Sequence, residues 1–252
     1  MRDTQYTLFR GGVALVTIDD YVFARAVRHH WAVRTAQGTT QKRRGTTDRG
    51  SRSQVTGGKQ MDGFAQVLRE LMERAGVAAE FIHPRRTTLP GYYRATKDWD
   101  LLVVVDDQLR AALELKTHVG PSFGNNINNR VEEALGSAED LWTAFREGAL
   151  GPCRPWLGYL LMLEDCERSR GPVSVSNQHF DVLPEFDGAS YARRYELLCQ
   201  KLVYERKYDS ACFLMSDRSR ARCRANYVEP NPQLSARQFI GGLLGHVAPP
   251  IG

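Results

Sequence analysis

One stretch constrains the fold more than any other, the 18 letters WDLLVVVDDQLRAALELK at residues 99–116. An apolar run, a short acidic step and a second alternating run predict two antiparallel strands joined by a turn, at about 100–105 and 110–117. Glu114 and Lys116 are two positions apart in the second strand, so they face the same side. Because an unpaired buried charge is costly, they either form a plain structural ion pair or hold something between them.

The same hairpin predicts where a third charge lies. Asp100 begins the first strand, and the start of that strand lies beside the end of the second, where Glu114 and Lys116 stand. Two carboxylates there would form a hard-oxygen site suited to Mg²⁺, which takes few protein ligands and keeps several waters. A nearby lysine can orient or deprotonate a metal-bound water for in-line attack on a phosphodiester. We therefore predict Asp100 and Glu114 as metal ligands and all three residues as catalytic.

The rest of the chain is consistent with a single α/β domain over residues 1–252. From residue 62 onward the predicted order is α, β, β, β, α, β, α, β. Besides the hairpin, we expect helices at 17–33 (capped by Asp19 or Asp20), 62–75, 127–147 and 189–207, and strands at 79–82, 155–165 and 211–216. The basic segment at about 34–60 has few apolar residues, so we expect either a disordered linker or an arm that orders against a polyanion such as DNA.

Composition excludes some classes of protein. The balance of 34 Lys and Arg against 29 Asp and Glu gives a net charge of +5, which weakly favours nucleic acid as a partner. Five cysteines without a Cys-x-x-Cys pair, and six histidines without a His-x-x-x-His pair, argue against a compact zinc site. The first residues do not resemble a signal peptide, and no run of 18 apolar residues predicts a membrane helix. We expect a reduced, soluble, cytoplasmic protein.

Polar clusters outside the hairpin are candidate DNA contacts. Four asparagines and an arginine within six positions exceed what capping of a helix needs, and Asn and Arg can bond base edges or phosphates. Alternating arginines from 218 to 224 would share one face if extended, either along a phosphate backbone or as a solvated edge strand. The predicted DNA-binding residues are Asn125, Asn126, Asn128, Asn129, Arg130, Arg43, Arg44, Arg220 and Arg222.

Several of these stretches also carry a family resemblance. LPGYYRATKDWDLLVV, ELKTHVG and SFGNNINNRVEEALGSA resemble the XhoI-type family of type II restriction endonucleases, and Asp…Glu-x-Lys resembles the motif of the PD-(D/E)xK nuclease superfamily. The resemblance implies an α/β restriction-endonuclease-like core with a mixed central β-sheet flanked by helices. It also implies a bacterial enzyme that requires Mg²⁺ and cuts double-stranded DNA at CTCGAG, leaving a four-base 5′ overhang and 5′-phosphate ends.

The resemblance extends to further residues and partners. Trp99 stands where the superfamily usually has proline, so Asp98 remains an alternative first ligand, although Asp100 directly precedes the strand. Many enzymes of the superfamily draw another acid from the helix before the hairpin, which makes Glu70 a catalytic candidate and Glu73 its alternative. A palindromic site with two staggered cuts calls for a homodimer. A cognate DNA methyltransferase would protect the host.

Two other functions fit the same residues. Another PD-(D/E)xK nuclease, acting in repair or recombination, would share the site but not the specificity. A non-catalytic DNA-binding regulator would use the acids and the lysine only as a structural ion network.

Overall fold

The computed structural model describes residues 5–10, 13–44 and 52–249, with the backbone alone described at 9–10, 13–15, 38–44 and 52–58. The strands are β1 (Gln5–Arg10), β2 (Val13–Asp19), β3 (Ile82–His83), β4 (Thr88–Pro90), β5 (Thr96–Asp98), β6 (Leu101–Val105), β7 (Gln108–His118), β8 (Trp156–Glu164) and β9 (Ser210–Ser216). The helices are α1 (Ala24–Arg44), α2 (Arg52–Arg74), α3 (Phe123–Arg146), α4 (Glu167–Arg170), α5 (Tyr191–Tyr204) and α6 (Ala236–Val247). Of the helices in these ranges, none combines the length and the apolar character that crossing a bilayer would take.

The central sheet is mixed, as expected. Its five strands follow the order β3-β6-β7-β8-β9. β6 is antiparallel to β3 and β7, whereas β7, β8 and β9 run parallel. Parallel neighbours need a crossover, which α3 supplies between β7 and β8 and α5 supplies between β8 and β9. The predicted hairpin and the two later strands are thereby confirmed.

Alternation along β7 separates the two faces of the sheet. Ala111, Leu113 and Leu115 belong to the core formed with α1, α2 and α6. Ala112 belongs to the opposite core, which contains α3 and α5. Because side chains alternate along a strand, Glu114 lies on the α3 side together with Ala112.

The amino-terminal helix predicted at 17–33 is wrong at its start. Residues 13–19 form β2, which pairs with β1 in a separate two-stranded sheet, and α1 begins only at Ala24. Neither Asp19 nor Asp20 therefore occupies a capping position. The strand forms here because Val16 and Ile18 bury their β-branched side chains in the core and the backbone of β2 pairs with β1.

The basic segment at 34–60 is also largely helical, against the expectation of a linker. α1 extends to Arg44 and α2 begins at Arg52, and the prediction for residues 45–51 lies outside the described residues. The two helices pack on each other, and Gln60 donates a hydrogen bond to the Gln37 side chain at 2.8 Å. Contacts between helices can stabilise a sequence whose own propensity is weak.

The loop predicted before the β6–β7 hairpin contains a hairpin of its own. β4 pairs antiparallel with β5, and Lys97 lies opposite Leu89. The buried carboxylate of Asp140 on α3 fixes its tip, accepting hydrogen bonds from the backbone N–H of Tyr92 at 2.7 Å and of Tyr93 at 2.8 Å. Arg94 completes the contact with an ion pair to Asp140 at 2.7 Å.

The strand predicted at 79–82 is mostly a 3₁₀ turn, with only β3 in the sheet.

A glycine inside β8 gives a prediction about packing. A Cβ at Gly158 would lie 2.6 Å from Trp156 Cη2 and 3.0 Å from Phe239 Cζ, both in buried rings. We expect Gly158→Ala to lower the free energy of unfolding by about 1–3 kcal/mol, the usual cost of overpacking. Denaturant titration measures this loss. Gly136→Ala on α3 is the matched control, since a Cβ there meets nothing within 4 Å and should slightly stabilise the helix. Equal stability of the two variants would contradict the packing argument.

Candidate active site

The β6–β7 hairpin brings Asp100 and Glu114 together. Leu101 pairs with Leu113 across the two strands, so Asp100 and Glu114 face each other one step further along. The backbone N–H of Asp100 donates to the carbonyl of Leu113 at 3.1 Å, and Asp100 Oδ2 accepts the N–H of Leu115 at 2.7 Å. The backbone of β7 therefore fixes the first carboxylate beside the second.

Two lysines hold the second carboxylate. Lys116 forms an ion pair with Glu114 Oε1, and Lys97 forms another with Oε2 at 2.6 Å. The Glu114 side chain is only 4% exposed, against 11% for Lys97 and 22% for Lys116. The predicted pairing of Glu114 with Lys116 is present, and Lys97 joins it from β5.

The charges within this cluster shift one another's proton affinities. Burial raises the pKa of Asp100, and the negative charge of Glu114 adds to that rise, while Lys116 opposes it. Burial alone would raise the pKa of Glu114, but the ammonium groups of Lys116 and Lys97 outweigh it and hold that pKa below its ordinary value. Burial would likewise lower the pKa of Lys116, but Glu114 and Asp100 raise it instead. Lys116 is therefore a proton donor rather than a free base in this state.

The alternative first ligand lies elsewhere. Asp98 is exposed at the end of β5, where its Oδ1 accepts a hydrogen bond from Thr88 at 2.5 Å. Trp99, at the position where the superfamily usually has proline, is buried. Of the two acids it separates, Asp100 is the one that the structure brings to Glu114.

The donor set suits a hard divalent cation held by few protein ligands. Asp100 and Glu114 offer carboxylate oxygens from adjacent strands, the ligand type that Mg²⁺ prefers. Within 5–10, 13–44 and 52–249, no group of three or more His, Cys, Asp or Glu side chains gathers as a metal site. A cation at this pair would therefore keep water in its remaining positions.

Glu70 is not brought to this cluster. Its carboxylate accepts hydrogen bonds from Arg25 at 2.5 Å and from Gln66 at 2.9 Å, on the outer surface of α2. Because α2 packs against the opposite face of the sheet from Glu114, Glu70 is directed away from the pair. The alternative, Glu73, forms an ion pair with Arg69 at 2.7 Å on the same helix.

The asparagine cluster lies in the first two turns of α3. The helix starts at Phe123 with Ser122 as its N-cap, four residues earlier than predicted, so none of the four asparagines occupies the capping position. Asn125, Asn128 and Asn129 are exposed, and Asn126 is half-buried. The alternative that these asparagines cap the helix is therefore wrong.

Arg130 connects this cluster to the acids. Its guanidinium forms an ion pair with Glu133, and its positive charge acts on both Lys116 and His118. The first turns of α3 therefore stand close to the end of β7 that carries Lys116.

The arginines after β9 are not in an extended strand. Residues 218–220 form a 3₁₀ turn, so the extended geometry is wrong and the alternating side chains do not share the face of a strand. Contact of these arginines with DNA stays a prediction. Arg220 and Arg222 are nevertheless exposed, and Arg220 donates to the carbonyl of Ala225 at 3.2 Å. Arg43 and Arg44 end α1, but their side chains lie outside the described residues, so their contact with DNA stays a prediction.

Sequence reasoning missed a group of residues where β7, β8 and β9 end. Glu164 Oε2 accepts the N–H of Gly120 at 2.8 Å, while Arg34 of α1 donates to the Gly120 carbonyl at 3.5 Å. Arg218 reaches the same helix through Thr35 at 3.3 Å. Lys97 was missed as well. It stands within the quoted LPGYYRATKDWDLLVV stretch, but strand periodicity alone gives no reason to link it to Glu114.

His118 plays a structural part beside the site. Its Nδ1 lies 2.6 Å from the Tyr195 hydroxyl, and its Nε2 lies 3.2 Å from the Ser122 carbonyl. Burial lowers the pKa of His118 to about 4, and the charge of Arg130 contributes to the shift. A neutral ring thus ties β7 to α5 and to the start of α3.

Comparison with known proteins gives the family. Residues 40–228 match the family described as Restriction endonuclease XhoI. The chain is 55% identical over 208 residues to the type II restriction enzyme BstVI of Geobacillus stearothermophilus, covering 80% of this chain and 92% of that protein. It is 54% identical to XhoI of Xanthomonas vasicola (61% of this chain, 64% of that one) and 46% identical to AbrI of Azospirillum brasilense (62% and 71%). No solved structure gives a significant match. The Asp100, Glu114 and Lys116 cluster thus lies within the matched region, and the chain belongs to the XhoI family of restriction endonucleases.

Proposed function

We propose that this type II restriction endonuclease requires Mg²⁺ and hydrolyses duplex DNA at the palindrome CTCGAG, leaving a four-base 5′ overhang with 5′-phosphate ends. The observation that carries the proposal is the meeting of Asp100, Glu114 and Lys116 on one side of the β6–β7 hairpin. Resemblance to the family and the names of its relatives support the substrate and the site.

Asp100 and Glu114 are the residues that would hold Mg²⁺. When bound there, the cation would make a bound water more acidic and stabilise the negative charge that develops on the phosphate. Asp100 is fixed for this task by the N–H of Leu115, and Glu114 is kept ionised by its lysine partners.

Lys116 orients the attacking water. Its raised pKa keeps the side chain an ammonium, which donates hydrogen bonds and does not take up a proton in the resting state. Water attacks the phosphorus atom and the bond to the 3′-oxygen breaks. The attacking water gives up a proton to solvent, and the leaving 3′-oxygen takes one up from solvent. The phosphate stays on the 5′ end of the other fragment. This step depends on position and charge, as phosphoryl transfer generally does.

The DNA-facing surface lies around the first turns of α3. Its exposed asparagines each carry a donor and an acceptor, which can pair with the edge of an adenine. Arg130, on the same turns of α3, is close enough to Lys116 for the two charges to interact. The exposed arginines 218, 220 and 222 follow β9 and add phosphate contacts. A homodimer would place one such site on each strand of the palindrome, since two symmetric cuts need two active sites related by a two-fold axis. A cognate methyltransferase would modify the same sequence in the host.

A plasmid assay tests the proposal. A plasmid with one CTCGAG site should become linear in Mg²⁺ and stay intact in EDTA, and a plasmid with one base pair of the site changed should stay intact in both. Sequencing of the cut ends should give the four-base 5′ overhang. A smear of fragments would instead favour a repair nuclease. Retarded but uncut DNA would favour a DNA-binding regulator.

A further inference from the structure

Lys97 forms an ion pair with the carboxylate oxygen of Glu114 that Lys116 does not contact. Lys116 contacts Oε1, while Lys97 contacts Oε2 at 2.6 Å, so both oxygens of this carboxylate are occupied by ammonium groups. Lys97 is also the less exposed of the two lysines. A divalent cation that binds Glu114 therefore approaches a carboxylate whose two oxygens each already accept from an ammonium group.

Lys97 has other contacts that remain when Glu114 is released. Its Nζ donates to the carbonyl of Asp98 at 3.0 Å and lies 4.2 Å from the centroid of the Trp99 ring. Both a carbonyl oxygen and the face of a tryptophan ring attract an ammonium group. Lys116 differs from Lys97 in its origin, because it lies on the same strand as Glu114, two residues further along.

The position of Lys97 is set by a separate, anchored hairpin. β5 carries Lys97, and the tip between β4 and β5 is held by Asp140 of α3. A Cβ at Gly91 would lie 2.5 Å from Asp140 Oδ2, so only glycine lets the tip approach the carboxylate this closely. The ammonium group is thus held at Glu114 by packed structure and not by a mobile surface side chain.

The charge balance of the cluster determines how it responds to a divalent cation. Asp100 and Glu114 carry two negative charges, which Lys97 and Lys116 balance. A divalent cation added to this buried cluster would leave two excess positive charges at short range, which is unfavourable where water is scarce. Loss of one ammonium contact from Glu114 relieves that repulsion and frees an oxygen for coordination.

We propose that Lys97 is a positioning residue that pairs with Glu114 Oε2 in the metal-free enzyme, and that a divalent cation breaks this pair and leaves Lys97 on the Asp98 carbonyl and the Trp99 ring, which it already contacts. The inference rests on the proposed function, because it takes Asp100 and Glu114 as the metal ligands. Lys97 keeps the carboxylate oriented before the metal arrives and reduces the affinity for metal by competing with it.

Binding of Mn²⁺ to the DNA-free protein, followed by the paramagnetic resonance signal of the free ion, tests this competition. We expect Lys97→Met, which keeps the apolar stem over Trp99, to bind Mn²⁺ about tenfold more tightly than the original chain, a typical coupling between two competing ligands. Lys97→Gln should shift the affinity in the same direction. Lys201→Met removes an exposed lysine on α5 and should change nothing.

Thermal melting supplies a second readout. In EDTA, Lys97→Met should melt below the original chain, because buried Glu114 keeps only Lys116 as a partner, and saturating Mn²⁺ should narrow this difference. Unchanged or weaker Mn²⁺ binding in both Lys97 variants would overturn the inference while leaving the proposed function intact. If the original chain itself binds no Mn²⁺, both the inference and the metal ligands in the proposed function are overturned.

Discussion

Lys116→Ala is expected to lower the rate of plasmid cleavage by about 10²-fold or more, the loss associated with misplacing a reacting group, here the attacking water that Lys116 orients. The variant should still fold, since Glu114 retains its ion pair with Lys97. Binding of the uncut site in Ca²⁺ should be nearly unchanged, because the proposed DNA-facing residues on α3 are untouched. Cleavage under single-turnover conditions and a gel-shift assay in Ca²⁺ measure the two effects separately.

Lys201→Ala serves as the control for this experiment. Lys201 is exposed on α5, lies 3.9 Å from Glu205, and is not among the residues assigned to the site. It should cut and bind like the original chain. If Lys116→Ala loses DNA binding to the same degree as cleavage, Lys116 is a binding or folding residue and its assigned role is wrong.

The second large effect concerns stability in acid. His30 is fully buried on α1, and burial lowers the pKa of its ring to about 4, with the charge of Arg34 acting in the same direction. A backbone group of Gln60 opposes the shift. The neutral ring is favoured in the folded chain, so the unfolded chain takes up a proton first as pH falls. The contribution of His30 to stability is therefore complete above about pH 6.5 and is lost as pH falls toward about 4.

Between pH 7.5 and pH 5, protonation of this one group should reduce the free energy of unfolding by about 2 kcal/mol. His30→Leu should remove that part of the pH dependence, although His118 contributes with the same sign in both proteins. Urea titrations at several pH values measure the difference. His179→Leu, at an exposed position, is the control and should keep the original slope. An equal slope for His30→Leu and the original chain would show that His30 is not buried as a neutral ring.

The β6–β7 hairpin could be predicted because its information is local. The apolar run before Asp106, the acidic turn and the alternation up to Lys116 specify two paired strands within 18 residues. Strand geometry then brings Asp100 to Glu114 without any knowledge of the remaining chain. The buried strands β8 and β9 could be predicted for a similar reason, since each is a continuous apolar run.

The missed features depend on distant contacts. Lys97 reaches Glu114 because β4 and β5 form a hairpin that Asp140, more than 40 positions away, holds in place. The helical state of 34–44 depends on packing against α2, and its composition alone indicates a linker. Glu70 fits the acid pattern of the superfamily, but only the tertiary structure shows that its helix covers the opposite face of the sheet. In each case the outcome depends on tertiary contacts with residues that are distant in the sequence, which local sequence patterns do not show.

Helix α3 carries two tasks on one rigid element. Its first turns bear the asparagines and Arg130, while Asp140, several turns later, anchors the hairpin that holds Lys97 against Glu114. Under the proposed function, a chain with this layout has limited freedom to evolve a new recognition sequence. Any change that tilts or shifts the helix to suit different bases would also move the support of the proposed metal ligands, so altered specificity and retained turnover would have to be selected together.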